Sequence, residues 1–166
     1  MTRSKKGFLF ALIPWSVFIQ NGTPSLVDHS KIYFGFSTKP DCTHLEGTTT
    51  AEVATSDTSQ LKGLSQRKAP LKPNESMAFI YKSPQILQFW MKETYIPLQI
   101  AYFDHQGLLI ETFEMTVEKD PSHPEKIYPS SRPANLALEM APKSLRRLKR
   151  STKTYLCVDP AKYRQN

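Results

Sequence analysis

Residues 88–107, QFWMKETYIPLQIAYFDHQG, carry the strongest structural signal in the chain. They place a polar Lys-Glu-Thr triplet between an apolar Phe-Trp-Met run and an apolar strand that follows Pro97. Side chains alternate across an unbroken strand, which would put Lys92 and Thr94 on the same side as Trp90. Because Pro97 cannot donate a hydrogen bond to a neighbouring strand, we expect an edge strand or a bulge there that redirects the triplet.

The segments around this stretch also favour strands. A turn is predicted at residues 104–107, and further strands at 31–36, 48–55, 77–81, 108–117, 134–141 and 152–159. Pro84 is expected to end the strand at 77–81. Asp57 and Gln60 have the spacing of a capping box, which predicts a helix from Thr58 to Gln66, and Pro142 begins a second short helix. The pattern predicts a mainly β (α+β) protein: a compact antiparallel β-sandwich or barrel with one or two short helices.

The N-terminus has the composition of a targeting segment. Basic residues in MTRSKK precede the apolar run Gly7–Ile19, which is too short to span a bilayer as a helix. We therefore expect residues 1–25 to be a signal peptide or N-terminal anchor, 26–47 an extension or connector, 48–160 a single β domain, and 161–166 a tail. The alternative is that the apolar run forms a strand or helix of the folded domain.

The net charge gives little support for nucleic-acid binding. The formal charge is +7, but three of the cations lie in the leader, and without them the charge is +4. Export would place Cys42 and Cys157 in an oxidising compartment. The bridge between them would contribute about 4 kcal/mol by closing a long loop, although two free thiols fit the sequence equally well.

Four segments together resemble a known family: LKGLSQR, MAFIY, FWMKETYIPLQIAYFD and RPANLALEM. They are similar to the bacterial and archaeal family called domain of unknown function 192, over about Ala51 to Val158. The residues at the family's pattern positions are Gly63, Leu64, Arg67, Phe89, Trp90, Met91, Lys92, Thr94, Ile96, Pro97, Leu98, Pro133, Ala134, Leu138 and Glu139.

Departures from the family pattern are as informative as the matches. Glu93 stands where Asn is usual, Gln99 where Asp is usual, Lys62 replaces an Arg, and the closing Gly-Asp pair is missing. The resemblance implies a compact, mainly β fold in a bacterial protein that is periplasmic or otherwise exported. It brings no established activity.

The polar triplet defines the candidate site. We predict a ligand-binding pocket with Trp90 as its floor and polar residues at its rim, under the Pro-rich segment 118–133 as a lid. The predicted ligand-binding residues are Arg67, Trp90, Lys92, Glu93, Thr94 and Arg132. The alternative is structural: the Lys92 stem packs over Trp90, and its ammonium pairs with Glu139 or Glu52.

Catalytic and metal-binding patterns are weak. The S-x-x-K sequence at Ser65–Lys68 lacks its companion motifs, and no G-x-S-x-G, phosphate loop or dinucleotide motif occurs. Asp41, Cys42 and His44 form at most half a metal site. We predict no metal and no cofactor.

The basic segment Lys143 to Lys153 is a second possible contact surface. Its cations surround Leu145 and Leu148, which suits a solvated helix or contact with anionic lipid or another polyanion. Membrane contact is possible there or through the N-terminal segment, whereas nucleic acid is not expected.

The sequence thus favours a monomeric, non-enzymatic binding domain whose partner is a small polar ligand or an envelope protein. The alternatives are a cell-envelope hydrolase or transferase that uses Glu93 and Arg67, or a polyanion-binding protein.

Overall fold

The structure, a computed structural model, describes residues 13–14, 26–147 and 153–158. Its elements in chain order are β1 (Ile13–Pro14), β2 (Lys31–Ser37), β3 (Gly47–Ala54), α1 (Asp57–Lys62), β4 (Glu75–Gln85), β5 (Gln88–Trp90), β6 (Leu98–Phe103), β7 (Leu109–Met115), β8 (Ile127–Pro129), β9 (Ala134–Met140), a 3-10 turn (Ser144–Arg147) and β10 (Tyr155–Val158). The prediction of a mainly β protein is confirmed.

Eight strands form one curled sheet in the order β1-β10-β2-β3-β4-β9-β6-β7, and β5 pairs with β8 in a second sheet. The β6–β7 turn meets β10, where the Leu156 amide donates to the Gly107 carbonyl at 2.8 Å. The main sheet therefore curls into a half-barrel. It is not wholly antiparallel, since β3 and β4 run parallel. The crossover between them, residues 55–74, is long enough to allow that direction and carries α1.

The main sheet has a hydrophobic core on each face. In β9 all seven residues are buried. Leu136, Leu138 and Met140 pack in the first core with β2 and β10. Ala137 packs in the second core, which β5 covers through Phe89. Because strand side chains alternate, Glu139 faces the second core.

The segment that we expected to be a connector contributes an interior strand, because β2 lies between β10 and β3. The loop after β2 is tied back to the sheet by a disulfide between Cys42 and Cys157, whose Cα atoms are 5.9 Å apart. Ile13–Pro14 pairs with β10, within the expected leader. Residues 1–12 and 15–25 lie outside the described residues. No helix in the described ranges is long and apolar enough to cross a membrane.

Helix α1 begins one residue earlier than predicted. Ser56, not Asp57, is the N-cap, and Ser59 completes the capping box. The helix ends at Lys62 instead of Gln66, because Gly63 adopts φ +46°, outside the helical range. Gln60 ties the helix to β4, donating from Nε2 to the Ile80 carbonyl at 2.9 Å.

Asp28 organises the start of this helix from another part of the chain. One of its oxygens accepts hydrogen bonds from the Thr55 amide, the Ser56 amide and the Ser59 hydroxyl, at 2.6, 3.1 and 2.7 Å. Partial burial alone would raise the pKa of Asp28, but the hydrogen bonds from Ser56, Ser59 and Thr55 outweigh it and hold the pKa well below its usual range.

Replacing Asp28 with Ala should therefore lower the free energy of unfolding by about 1 to 2 kcal/mol at neutral pH. The depressed pKa means that the contribution is present above the unfolded-state pKa and is lost as the pH falls through the folded-state pKa. The loss begins as the pH approaches the unfolded-state pKa of 3.8, so urea unfolding from pH 7 down to pH 3 measures its onset. The control is Asp120→Ala, which removes only local loop contacts. Equal destabilisation by both variants would contradict a special role for Asp28.

Three further expectations need correction. Strand β4 continues through Pro84 to Gln85. The predicted surface loop 118–133 contains β8, which pairs with β5. The predicted basic helix is replaced at its start by the 3-10 turn Ser144–Arg147. Residues 148–152 of that segment lie outside the described residues.

Candidate functional site

A cleft of about 280 Å³ lies where α1 approaches the small sheet. One wall is α1 with residues 63–65, and the other is β5 with Lys92 and Thr94. Phe79, Tyr81 and Glu139 come from the main sheet and form the floor. Other surface depressions are larger, up to about 420 Å³. This cleft is distinguished by a buried acidic residue, Glu139, on its floor.

The Lys-Glu-Thr triplet lies in a turn and not in a strand. Strand β5 ends at Trp90 and β6 begins at Leu98, so the expected unbroken strand is interrupted. The Thr94 amide donates to the Met91 carbonyl at 3.1 Å, and the Thr94 hydroxyl donates to the Lys92 carbonyl at 3.1 Å. Glu93 has φ +50°, in the left-handed region. Asn tolerates this conformation better than other non-glycine residues, which explains the family's usual Asn at this position.

Glu93 joins the two walls of the cleft without lining it. Its carboxylate accepts hydrogen bonds from Gln66 Nε2 at 2.9 Å and from Ser65 Oγ at 3.3 Å. Its carbonyl accepts from the Gln66 amide at 2.8 Å, and its amide donates to Pro121 at 2.7 Å. Glu93 therefore holds the loop after α1 against the turn after β5.

Substitutions at Glu93 should separate its backbone role from its side-chain role. Both Glu93→Asn and Glu93→Ala weaken the contacts to Gln66 and Ser65, but Asn accepts the left-handed backbone. We expect the Asn variant to be more stable than the Ala variant by about 1 kcal/mol, measured by urea unfolding. Equal stabilities would show that the positive φ carries no penalty at this site.

Trp90 and Lys92 line the cleft together. The Trp90 side chain is 47% exposed. The Lys92 ammonium lies 6.0 Å from the centre of its ring, at the limit of a cation–π contact. Within the described residues, Lys92 has no carboxylate partner within 4.0 Å. The alternative interpretation, in which Lys92 has a structural role, is correct in one part only. The Lys92 side chain approaches Trp90, but neither Glu139 nor Glu52 pairs with its ammonium.

Glu139 is the one acidic residue on the floor, and it is only 4% exposed. In the described part of the chain no hydrogen bond or ion pair reaches its carboxyl group, whose oxygens are not sealed off from the cleft. Burial raises the pKa of Glu139 to about 8, so the folded protein holds it mainly protonated at neutral pH. Burial, and then the nearby Glu139, also raise the pKa of Tyr81 to about 12.

Gly63 shapes the wall opposite Trp90. A methyl group at this position would approach the Phe79 ring to 3.2 Å, and φ +46° disfavours any side chain there. Because residue 63 has no Cβ, α1 can end abruptly there and the space next to the Phe79 ring stays open.

The structure separates the six predicted ligand-binding residues into two groups. Trp90, Lys92 and Thr94 line the cleft, and the other three do not. Glu93 holds the two walls together, as described above. The Arg67 guanidinium is paired with the Glu75 carboxylate at 3.4 Å. Arg132 is paired with Asp104 at 3.4 Å, beside the β6–β7 turn. Sequence reasoning had assigned Glu139 only as a partner for Lys92. The sequence signal for a role at the site was the position of Glu139 in the family segment RPANLALEM.

Metal binding finds no geometric support in residues 26–147 and 153–158. No group of three or more His, Cys, Asp or Glu side chains there is placed to hold an ion. The His29 ring contacts Glu52 at 2.7 Å, but on an exposed surface away from the cleft.

Comparisons with known proteins agree with this fold. A family model described as Uncharacterized ACR matches residues 41–154. A crystal structure from Sinorhizobium meliloti 1021, provisionally described as a transcription regulator, is 26% identical with a TM-score of 0.66, covering 82% of this chain and 99% of that one. A protein of unknown function from Novosphingobium aromaticivorans DSM 12444 is 24% identical with a TM-score of 0.61, covering 75% of this chain and 84% of that one. No curated protein sequence matches significantly.

Proposed function

The chain belongs to the DUF192 family, whose function is unknown, and from its cleft we propose that it is an exported, single-domain binding protein for a small polar molecule. Glu139 carries the proposal. A buried carboxyl group without a partner reduces stability, so a residue of this kind is favoured where a ligand supplies the missing contact. The half-exposed Trp90 ring and the Lys92 ammonium add an apolar surface and a charge to the same cleft.

Binding is favoured over the alternative of a hydrolase or transferase that uses Glu93 and Arg67. Neither side chain lines the cleft, and each is engaged by protein groups. Ser65 does line the cleft, but its hydroxyl donates to the Glu93 carboxylate and no histidine lines the cleft beside it. The side chains that line the cleft therefore suit recognition better than nucleophilic chemistry.

Export is supported by the disulfide between Cys42 and Cys157. Structural disulfides persist in oxidising compartments and are rare in reducing ones. Cell fractionation, with mass analysis of the N-terminus and of the thiol state, tests this part of the proposal. An intact N-terminus and free thiols in the cytosolic fraction would contradict it.

Ligand binding is tested by thermal-shift screening of the oxidised protein against neutral and charged sugars, amino acids and cell-envelope fragments. A true ligand should raise the Tm of the wild type and of Ile127→Ala, but not of Trp90→Ala. Ile127 is the matched control because it is exposed, pairs with Trp90 across the small sheet and does not line the cleft. The proposal fails if no compound stabilises the wild type more than the Trp90 variant.

A further inference from the structure

The charged groups of the cleft favour one sign of ligand charge. Lys62, in the last turn of α1, and Lys92, on the opposite wall, both line it. Neither has a carboxylate partner within 4.0 Å among the described residues. Asp57 and Glu139 are the acids that line the cleft. Since Glu139 is mainly neutral, two ammonium groups face one exposed carboxylate, and the cleft has a net positive charge.

The floor of the cleft suits a ligand hydroxyl group. A protonated Glu139 offers one O–H donor and one carbonyl acceptor, which a ligand hydroxyl complements in both directions. Tyr81 from β4 and Tyr102 from β6 lie near Glu139, and Asp57, Lys62 and Lys92 line the same cleft without contributing to the shift in its pKa. A ligand ammonium placed in the cleft would be repelled by the two lysine ammonium groups that line it.

The volume and shape of the cleft restrict the class of ligand further. A volume of about 280 Å³ lies just below the usual range for small-molecule pockets. It suits a single ring of about a dozen non-hydrogen atoms. The exposed Trp90 face is flat and apolar, as required to pack against the C–H face of a sugar ring, and the side-chain amides of Gln60 and Gln88 border the same space.

We propose that the cleft recognises an acidic sugar: a hydroxylated ring that packs on Trp90, directs a hydroxyl to Glu139 and places its carboxylate between Lys62 and Lys92. This inference rests on the proposed function and specifies its ligand. The same carboxylate chemistry occurs in free uronic acids and at the ends of acidic polysaccharides, so both sources are part of the test.

The test uses sugars that share a ring and differ in one group. Titration calorimetry compares D-glucuronate, D-glucose and D-glucosamine, and the corresponding galactose series, at pH 6 and pH 9. A short oligogalacturonide represents the polysaccharide source. We expect the acid of at least one series to bind about tenfold more tightly than its neutral sugar, because charge-assisted hydrogen bonds form with the lysines. The amino sugar should bind no more tightly than the neutral sugar.

Substitutions inside and outside the cleft test whether the preference for the acidic sugar arises there. Lys92→Gln should reduce the affinity for the acid to near that of the neutral sugar, whereas the control Lys82→Gln, on an exposed strand position outside the cleft, should leave it unchanged. Affinity for the acid should fall from pH 6 to pH 9 in the wild type as Glu139 ionises. In Glu139→Gln the preference for the acid should remain, and the pH dependence should be smaller.

The outcomes separate this inference from the function on which it rests. The inference is overturned if the amino sugar binds most tightly, if acid and neutral sugars bind equally, or if only a compound that is not a sugar binds. In each of these cases the proposed function stands, provided that binding depends on Trp90. If no compound in the screen or the sugar series binds in a Trp90-dependent way, both are overturned.

Discussion

Glu139→Gln is expected to stabilise the folded protein by about 2 to 3 kcal/mol at pH 7. The unfolded chain ionises Glu139 with an ordinary pKa of 4.5, whereas burial raises the folded-state pKa to about 8. At pH 7 the wild type must therefore take up a proton on folding. Gln is neutral in both states and nearly isosteric, so the variant avoids this penalty.

The effect depends on pH in a defined direction. Below pH 4.5 Glu139 is protonated in both states, and wild type and variant should have similar stabilities. As the pH rises, only the unfolded chain releases the proton, so the wild type loses stability relative to the variant. The difference should grow through neutral pH and level off above the folded-state pKa of about 8.

Urea unfolding of both proteins at pH 4, 6, 7 and 9 measures this difference. The control is Glu125→Gln, which makes the same change of charge at an exposed loop position and should shift stability little at every pH. A constant difference between wild type and Glu139→Gln across the range would show that Glu139 does not change its protonation on folding. Stabilisation combined with weaker ligand binding would identify Glu139 as a residue that favours function over stability.

Breaking the disulfide should have a larger effect in the opposite direction. The cysteines are 115 residues apart, and a closed loop of that length contributes about 4 to 5 kcal/mol in the chain-entropy model. The Cys42→Ser, Cys157→Ser double variant should therefore unfold at a Tm lower by roughly 10 °C.

Thermal unfolding with and without reductant isolates the covalent bond. Reductant should lower the Tm of the wild type towards that of the double variant and leave the double variant unchanged. A wild-type Tm insensitive to reductant, with both thiols shown to be free, would indicate that packing alone holds the loop after β2 in place. That packing is close, because Leu45 covers Gly35 so tightly that a side chain at residue 35 would clash with it.

The two predictions concern different consequences of the same fold. The disulfide links β10 to the loop after β2 and stabilises the first core, where β2 and β10 contribute Phe34 and Leu156. Glu139 lies in β9, beside the cleft, where its burial reduces stability. Because β2, β3 and β4 separate β10 from β9 in the sheet and the two sites share no partner, their effects should add in a combined variant.

The family, the mainly β architecture and half of the candidate site were accessible from sequence because they depend on local patterns. Strands such as β2 and β3 appear as short runs of aromatic or β-branched residues. The Phe-Trp-Met-Lys block identified the family and placed Trp90, Lys92 and Thr94 at the site, since residues this close in sequence remain close in space.

Other features were decided only by tertiary structure, because they depend on residues far apart in the chain. The sequence permitted Cys42 and Cys157 to pair or to stay apart, and the pairing of β10 with β2 brings them together. Asp28 anchors the N-terminal end of a helix that begins 29 residues later. Arg67 and Arg132 meet carboxylates that neutralise them away from the cleft.

Glu139 is the clearest example of a site residue whose position the sequence did not predict. In β9, Asn135 and Glu139 alternate with Leu136, Leu138 and Met140, a pattern typical of a strand with one exposed face, yet all seven residues are buried. That position follows from the approach of α1 and β5 to the same face of the sheet, which the strand's own sequence does not encode. The sequence by itself determined which segments become strands and which family they form, while the packing of distant segments decided which buried acid borders the cleft.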